Sequence, residues 1–182
     1  FTGSPSIDGI VEGNISDKKT VSQKYGINLQ NQYLVLLQHS VTTQTKFSEK
    51  QIIETLKAIS KLKIPTIAIM PNSDAGHKEI FRLIKEYSKK FSFIKYYTSI
   101  PRSDFLCLLQ NCSSLIGNSS AGIIESSYLG IPVVNIGIRQ KNRDHGPNVI
   151  DIPNHSSLLI QNGIRNSISK RHKPHSFVYG KG

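Results

Sequence analysis

The sequence predicts a doubly wound α/β domain built on a parallel sheet. Three observations carry that prediction. Short apolar runs alternate with longer segments whose apolar residues recur at helical spacing, the two periods of strand and helix. Tyr33 to Gln38 reads as a continuous apolar run, as strands covered on both faces do. Strand and helix keep alternating along the chain, an order that places helices on both faces of a parallel sheet.

In chain order, residues 1–31 read as irregular, with turns at Gly3-Ser4-Pro5 and Gly9 and a short helix from Ser16 to Tyr25 stopped by Gly26. Tyr33 to Gln38 is the first buried strand and His39 to Phe47 a polar loop. Ser48, followed by Glu49 and Gln51, has the form of an N-cap with an acidic first turn. Ile52, Ile53, Leu56, Ile59 and Leu62 then mark a helix that Ile64-Pro65 breaks. Thr66 to Met70 is a strand, Pro71 to Gly76 a loop, His77 to Lys90 a helix and Phe91 to Tyr97 a strand. Ser103-Asp104 is read as the cap of a helix carrying Phe105, Leu106, Leu108 and Leu109. Ser114 to Ile116 is a short strand, Gly117 to Ser120 a turn, and Ala121 to Leu129 a helix. Ile131 to Ile136 and Asn148 to Ile152 are strands, separated by the loop Gly137 to Pro147, and Ser156 to Ser169 is the last helix.

With 182 residues the chain is long enough for one domain with a real core and no disulfide staples. Cys107 and Cys112 lack C-x-x-C spacing, so they read as buried reduced thiols of a cytoplasmic protein. No apolar run approaches the length of a membrane span. The chain begins Phe1-Thr2-Gly3 and its only methionine is Met70, so a piece of a longer protein is expected. The formal charge of +11 suits either nucleic acid or a small anionic ligand. The charges are scattered, Trp is absent, and the densest run, Lys170-Arg171-His172-Lys173, stands near the end. That favours a solvated tail over a nucleic-acid arm. His172 and His175 have no acidic or Cys partners nearby in sequence, so no metal is expected there.

In doubly wound sheets, ligands bind beyond the carboxyl ends of the strands. Gly117-Asn118-Ser119-Ser120-Ala121-Gly122 joins a strand to a helix there. Its glycines allow close approach, and free amides and serine hydroxyls suit a phosphate or diphosphate. It is neither G-x-G-x-x-G nor a P-loop. Taken alone, Ser119 is equally an ordinary N-cap. Glu125 follows on the same helix, read either as a stabilising first-turn acid or as an acceptor for two vicinal hydroxyls such as those of a ribose. Arg139 and Arg143, with Gln140 and His145, occupy the next loop, where arginine can neutralise a diphosphate. His39 ends the first strand and can donate to phosphate or move a proton. No catalytic triad or carboxylate pair is legible.

These loops together resemble the UDP-N-acetylglucosamine 2-epimerases, above all the hydrolysing branch of sialic- and legionaminic-acid-type pathways. The segments that carry the resemblance are Gly3-Ser4-Pro5-Ser6-Ile7-Asp8, His39-Ser40-Val41-Thr42-Thr43, Pro71-Asn72-Ser73-Asp74-Ala75-Gly76, Ile116 to Glu125, Gly130 to Gln140 and Val178-Tyr179-Gly180-Lys181-Gly182. They are collinear and span nearly the whole chain. The non-hydrolysing branch has a His-Arg-x-Glu-Asn pattern where this chain has His39-Ser40-Val41-Thr42-Thr43.

The resemblance implies a Rossmann-like carboxyl-terminal domain of a GT-B-type two-domain fold. It divides the chain into an interdomain segment (1–31), a UDP-binding domain (32–170) and a basic tail (171–182) returning toward an absent amino-terminal domain. It assigns His39 and Asn72 to UDP or its phosphates, Ser119 and Ser120 to the diphosphate, Glu125 to the ribose and Arg139 to the nucleotide loop. His39 is the one group in this chain it offers for proton work, the main acids and bases belonging to the absent half. The implied partners are a UDP-sugar and the amino-terminal domain, with no nucleic acid, membrane, cofactor or metal, and homo-oligomerisation is compatible with it. A GT-B glycosyltransferase is the alternative on the same fold, and a non-catalytic nucleotide-binding module a third reading.

Overall fold

The structure, a computed structural model, describes residues 3–169 and 176–180. Among these residues the strands β1 (Leu34–Leu37), β2 (Thr66–Ile69), β3 (Ile94–Tyr97), β4 (Ser114–Gly117), β5 (Val133–Ile136) and β6 (Val149–Ile152) form one sheet of order β3-β2-β1-β4-β5-β6. Every neighbouring pair is parallel. The chain winds outward from β1 through β2 to β3, then re-enters on the other side of β1 at β4 and winds the opposite way. The crevice between the ends of β1 and β4 is therefore the topological switch point, where such folds bind ligands.

Around the sheet lie α1 (Pro5–Val11), α2 (Lys18–Tyr25), α3 (Ser48–Leu62), α4 (His77–Lys90), α5 (Arg102–Asn111), α6 (Glu125–Leu129) and α7 (Ser157–Ser169). Successive strand residues point to opposite faces. Val35, Ile67, Leu115 and Val133 join Val21 and Tyr25 of α2 and Leu106 and Leu109 of α5 in one core. Leu34, Leu36, Ala68, Ile116 and Val134 join Ile52, Leu56 and Ile59 of α3, Ile80 and Ile84 of α4, and Ile160 and Ile164 of α7 in the other. Both faces of the central strands are buried, which is why β1 reads as an unbroken apolar run, whereas the edge strands β3 and β6 carry the exposed Lys95 and Asp151. Cys107 and Cys112 are free and buried, and burial raises both thiols above their ordinary range.

Several expected elements are corrected. Residues 5–11, read as turns, form α1: Ser4 is its N-cap and Pro5 opens its first turn, the asymmetry that suits proline to a helix start. The helix expected from Ser16 starts at Lys18, capped by Asp17. In α3, Ser48 is the first helical residue rather than the cap, and its hydroxyl is buried without a partner. The strand expected from Phe91 starts at Ile94, because Phe91 closes α4. Ser103-Asp104 does not cap α5. The N-cap is Pro101, with no side-chain bond, and Asp104 turns inward to accept from Ser16 Oγ (2.5 Å), Lys24 Nζ (2.6 Å) and Tyr25 OH (2.7 Å). That cluster ties α2 to α5. The helix expected over Ala121–Leu129 is broken. A 3-10 turn, Ser120–Gly122, precedes the short α6, so Glu125 opens that helix instead of lying a turn inside it.

Near the end of the chain, Ser4 N–H donates to the Tyr179 carbonyl (2.9 Å) and Ser176 N–H to the Ser127 carbonyl (2.9 Å). The run Lys170–Lys173, His172 and His175 lies outside the described residues. Among the described residues, no helix is long and apolar enough to cross a membrane.

Candidate functional site

At the switch point the two halves of the sheet are bracketed by Asn118, which is almost fully buried. Its Oδ1 accepts from His39 N–H (2.7 Å) and its Nδ2 donates to the His39 carbonyl (2.9 Å). Its own carbonyl accepts from Arg139 Nη1 (3.2 Å) and Gln140 Nε2 (2.9 Å). One side chain and its peptide thus fix the loops after β1, β4 and β5. The sequence reading placed Asn118 inside a motif but gave it no role.

The bracket turns His39 into a cavity of about 330 Å³, which is also lined by Asn72, Arg102, Ser119, Ser120, Glu125 and Arg139. The six residues that the resemblance assigns to the nucleotide therefore line one cavity. A groove of about 750 Å³ along α2 is larger, lined by residues such as Lys18, Gln23 and Asn28. It holds no buried ionisable group, whereas the switch-point cavity holds two, His39 and Glu125. Arg143 and His145 are not part of this site. They line a separate cavity of about 270 Å³ beyond β5 and β6, where His145 Nε2 lies 3.0 Å from Asp151 Oδ2.

His39 is 5 % exposed. Burial, together with the Arg139 charge, pushes its pKa down to about 4, against the opposing pull of Asp74. The ring is thus neutral at pH 7. The backbone N–H of Asn72 donates to its Nδ1 at 3.3 Å, so the proton of the neutral ring sits on Nε2. His39 is a neutral hydrogen-bond donor in this site, and Asn72, itself exposed, contributes through its backbone. A group neutral when folded but cationic when unfolded makes stability fall as pH drops. The unfolded imidazole takes its proton near pH 6.5 and the folded one only near pH 4. His39 should therefore withdraw about 3 kcal/mol of stability across that window. Urea unfolding at pH 7 and pH 4.5 checks this: His39→Asn should show a distinctly shallower decline than the unmodified chain.

Ser119 is buried, and its hydroxyl accepts from Ala121 N–H (3.3 Å) as the cap of the 3-10 turn. The ordinary N-cap reading of Ser119 is thus correct for its hydroxyl. The turn is three residues long, so no long helix dipole points at the cavity. What remains free are the Ser119 and Ser120 amides, which donate to no described residue, and the Ser120 hydroxyl. Arg139 lies across from them. Its Nη2 is 4.0 Å from Asp74 Oδ2, at the outer limit of an ion pair.

Glu125 lines the same cavity, with its side chain 7 % exposed. Arg102 Nη1 donates to its Oε1 at 2.7 Å, and Arg102 Nη2 donates to the Ser6 carbonyl at 2.7 Å. Oε2 takes no hydrogen bond from a described residue. The sequence reading missed Arg102. The available signal was an arginine opening α5, directly after the loop that follows β3 at another carboxyl end of the sheet. Its partners, distant in sequence, could not be read. The cavity lining therefore combines hydrogen-bond donors and a cation with a buried carboxylate.

Comparison with known proteins supports the same direction. A sequence model of the family UDP-N-acetylglucosamine 2-epimerase matches residues 1–182. The chain is 29% identical over 180 residues to a UDP-N,N'-diacetylbacillosamine 2-epimerase (hydrolyzing) of Legionella pneumophila, covering 99% of this chain and 47% of that one. It is 35% identical over 161 residues to a polysialic acid biosynthesis protein of Escherichia coli, covering 87% of this chain and 41% of that one. The chain thus spans less than half the length of these relatives. Among solved structures, the UDP-GlcNAc 2-epimerase of Methanocaldococcus jannaschii, in complex with UDP-GlcNAc and UDP, superposes with a TM-score of 0.67 at 16% identity, covering 99% of this chain and 51% of that one. At that identity the likeness establishes the fold.

Proposed function

The chain belongs to the UDP-N-acetylglucosamine 2-epimerase family, and we propose that it is the UDP-binding part of a hydrolysing member acting on UDP-GlcNAc or a related UDP-N-acetyl-sugar. The observation that carries this reading is the lining of the switch-point cavity. It combines donors from His39, Ser119, Ser120 and Arg139 with the Glu125 carboxylate. A nucleoside diphosphate carries the complementary groups, with acceptor oxygens on its phosphates and donor hydroxyls on its ribose. The hydrolysing relative from Legionella and the His39-Ser40-Val41-Thr42-Thr43 loop favour hydrolysis over simple epimerisation.

In the proposed reaction a base removes the proton at C2 of the sugar. The C2–H electron pair forms a C1–C2 double bond, and the C1–O bond breaks with UDP leaving on its oxygen. Water then adds across the glycal, hydroxyl to C1 and a proton to the opposite face of C2, giving the free 2-epimer sugar. The residues of this chain act on the leaving group. Arg139, the Ser119 and Ser120 amides and the Nε2–H of His39 stabilise the charge that develops on the diphosphate, an electrostatic contribution in a preorganised site. Glu125 anchors the ribose. We assign UDP binding to residues 32–170 and an interdomain role to 1–31, of which α2 packs into the core of this domain through Val21 and Tyr25; the basic tail 171–182 lies mostly outside the described residues. The acids and bases of the C2 step belong to an amino-terminal domain across the cleft.

Joined to that domain, the protein should release UDP and free 2-epimer sugar from UDP-GlcNAc in equal amounts, read by anion-exchange chromatography and NMR of the sugar. An intact UDP-2-epimer as main product, or transfer of the sugar to an acceptor, contradicts the proposal.

A further inference from the structure

Glu125 carries a demand that its own helix does not meet. Its carboxylate is more than nine-tenths buried, and a buried charge is costly unless it is paired and hydrogen-bonded. Helix α6 is five residues long and too short to hold a carboxylate by its dipole. The partner comes from elsewhere: Arg102, the first residue of α5, reaches it with Nη1. The same guanidinium donates through Nη2 to the Ser6 carbonyl in α1. A planar guanidinium held at two of its nitrogens has its plane fixed, and so has the carboxylate oxygen that meets it. The other carboxylate oxygen, Oε2, has no donor among the described residues and belongs to a side chain that lines the cavity.

We propose that Arg102 is a positioning residue for the nucleotide. Braced on α1, it holds one oxygen of Glu125, so that the second oxygen is presented to the vicinal hydroxyls of the ribose. This rests on the nucleotide reading above. The cationic head of Arg102 then contributes to ribose recognition through Glu125 and not by touching phosphate. It also makes α1, a segment far from the loop Gly117–Ser120 in sequence, part of the site's support.

A lysine could neutralise Glu125 but could not hold it in the same fork and bond Ser6 as well. That difference gives the test. UDP and 2′,3′-dideoxy-UDP are titrated calorimetrically against the chain and its variants Arg102→Ala, Arg102→Lys, Glu125→Ala and the double variant Arg102→Ala/Glu125→Ala. The expected result is that Arg102→Ala weakens UDP about tenfold and the dideoxy ligand by less than about twofold. The double variant should bind UDP no worse than Glu125→Ala, because both changes delete one interaction. Arg102→Lys, which retains a cation beside the buried carboxylate, should fold as the unmodified chain does and fall between the two.

Equal losses for UDP and the dideoxy ligand would overturn the proposal and assign Arg102 to the diphosphate. Additive losses in the double variant, or an Arg102→Lys that binds UDP as the unmodified chain does, would overturn it as well. If UDP fails to bind the unmodified chain, the nucleotide reading itself falls. If UDP binds and discriminates against the dideoxy ligand with no effect of Arg102, only the present proposal falls.

Discussion

Replacing Gly117 by alanine should destabilise the domain by more than about 4 kcal/mol, at the extreme of single substitutions. Gly117 ends β4 with φ +135°, and a Cβ built on it would lie 2.1 Å from the Leu37 carbonyl oxygen and 2.6 Å from its carbon. Leu37 is the residue paired with Gly117 across the switch point. The obstacle is backbone, not the end of a flexible side chain, so β1 and β4 must part for the methyl group to fit. With domains typically stable by only about 5–15 kcal/mol, the variant should lose most of its cooperative unfolding transition in urea. Gly9 is the contrast. Nothing lies within 4 Å of a Cβ there, and it sits inside α1, where alanine is favoured over glycine by roughly 0.5–1 kcal/mol. Gly9→Ala should be neutral or stabilising. If Gly117→Ala shifts the midpoint by no more than Gly9→Ala does, the close approach of β1 and β4 is wrong.

Asp104→Ala should be nearly as damaging, about 3–5 kcal/mol, the range for removing one partner of a buried charge cluster. Tyr25 OH, Ser16 Oγ and Lys24 Nζ would lose their common acceptor. Lys24 is half exposed and regains water, but Tyr25 is 3 % exposed and its hydroxyl would be stranded. The cluster also has a pH signature. Burial alone would raise the Asp104 pKa, but the bonds from Lys24, Ser16 and Tyr25 outweigh it and hold the carboxyl at about 2, below its ordinary 3.8. A lowered carboxyl pKa stabilises the fold above the unfolded value and loses that contribution as pH falls through the folded one. The cluster should thus give up about 2 kcal/mol between roughly pH 5 and pH 2. Urea midpoints measured across that range should decline less steeply for Asp104→Ala than for the parent chain. Parallel declines, or a loss below about 1 kcal/mol at pH 7, would show that Asp104 does not hold α2 to α5.

The sheet was legible because both of its faces are covered. A buried strand such as Leu34–Leu37 shows as an apolar run, and the loops that end such strands are then the place for polar chemistry. This is why His39, Ser119, Ser120, Glu125 and Arg139 could be singled out before any geometry was known, and why they converge. What stayed hidden depends on partners distant in the chain. Asp104 in Ser103-Asp104 has the local form of a cap, and only the approach of Ser16, Lys24 and Tyr25 turns it inward. Arg102 looks like any surface arginine until Glu125 and Ser6 are brought beside it. Helix α1 was missed for a different reason. Ser4-Pro5 was weighed as a turn, although serine before proline is equally the start of a helix. The break between Gly122 and Glu125 follows from tertiary packing, since Gly122 is pressed against Val133 and Leu115 and Ser126 and Ser127 turn their hydroxyls onto backbone carbonyls one turn back.

The switch-point cavity is proposed to hold UDP with its ribose on Glu125. A calorimetric titration of UDP and 2′,3′-dideoxy-UDP into the chain and its Glu125→Ala variant tests it most directly. A hydrogen bond to a charged group contributes roughly 1.5–3 kcal/mol, so Glu125→Ala should weaken UDP by about 10- to 150-fold and leave the dideoxy ligand nearly unchanged. Equal loss for both ligands, or no binding of UDP to the unmodified chain at millimolar concentration, would contradict it.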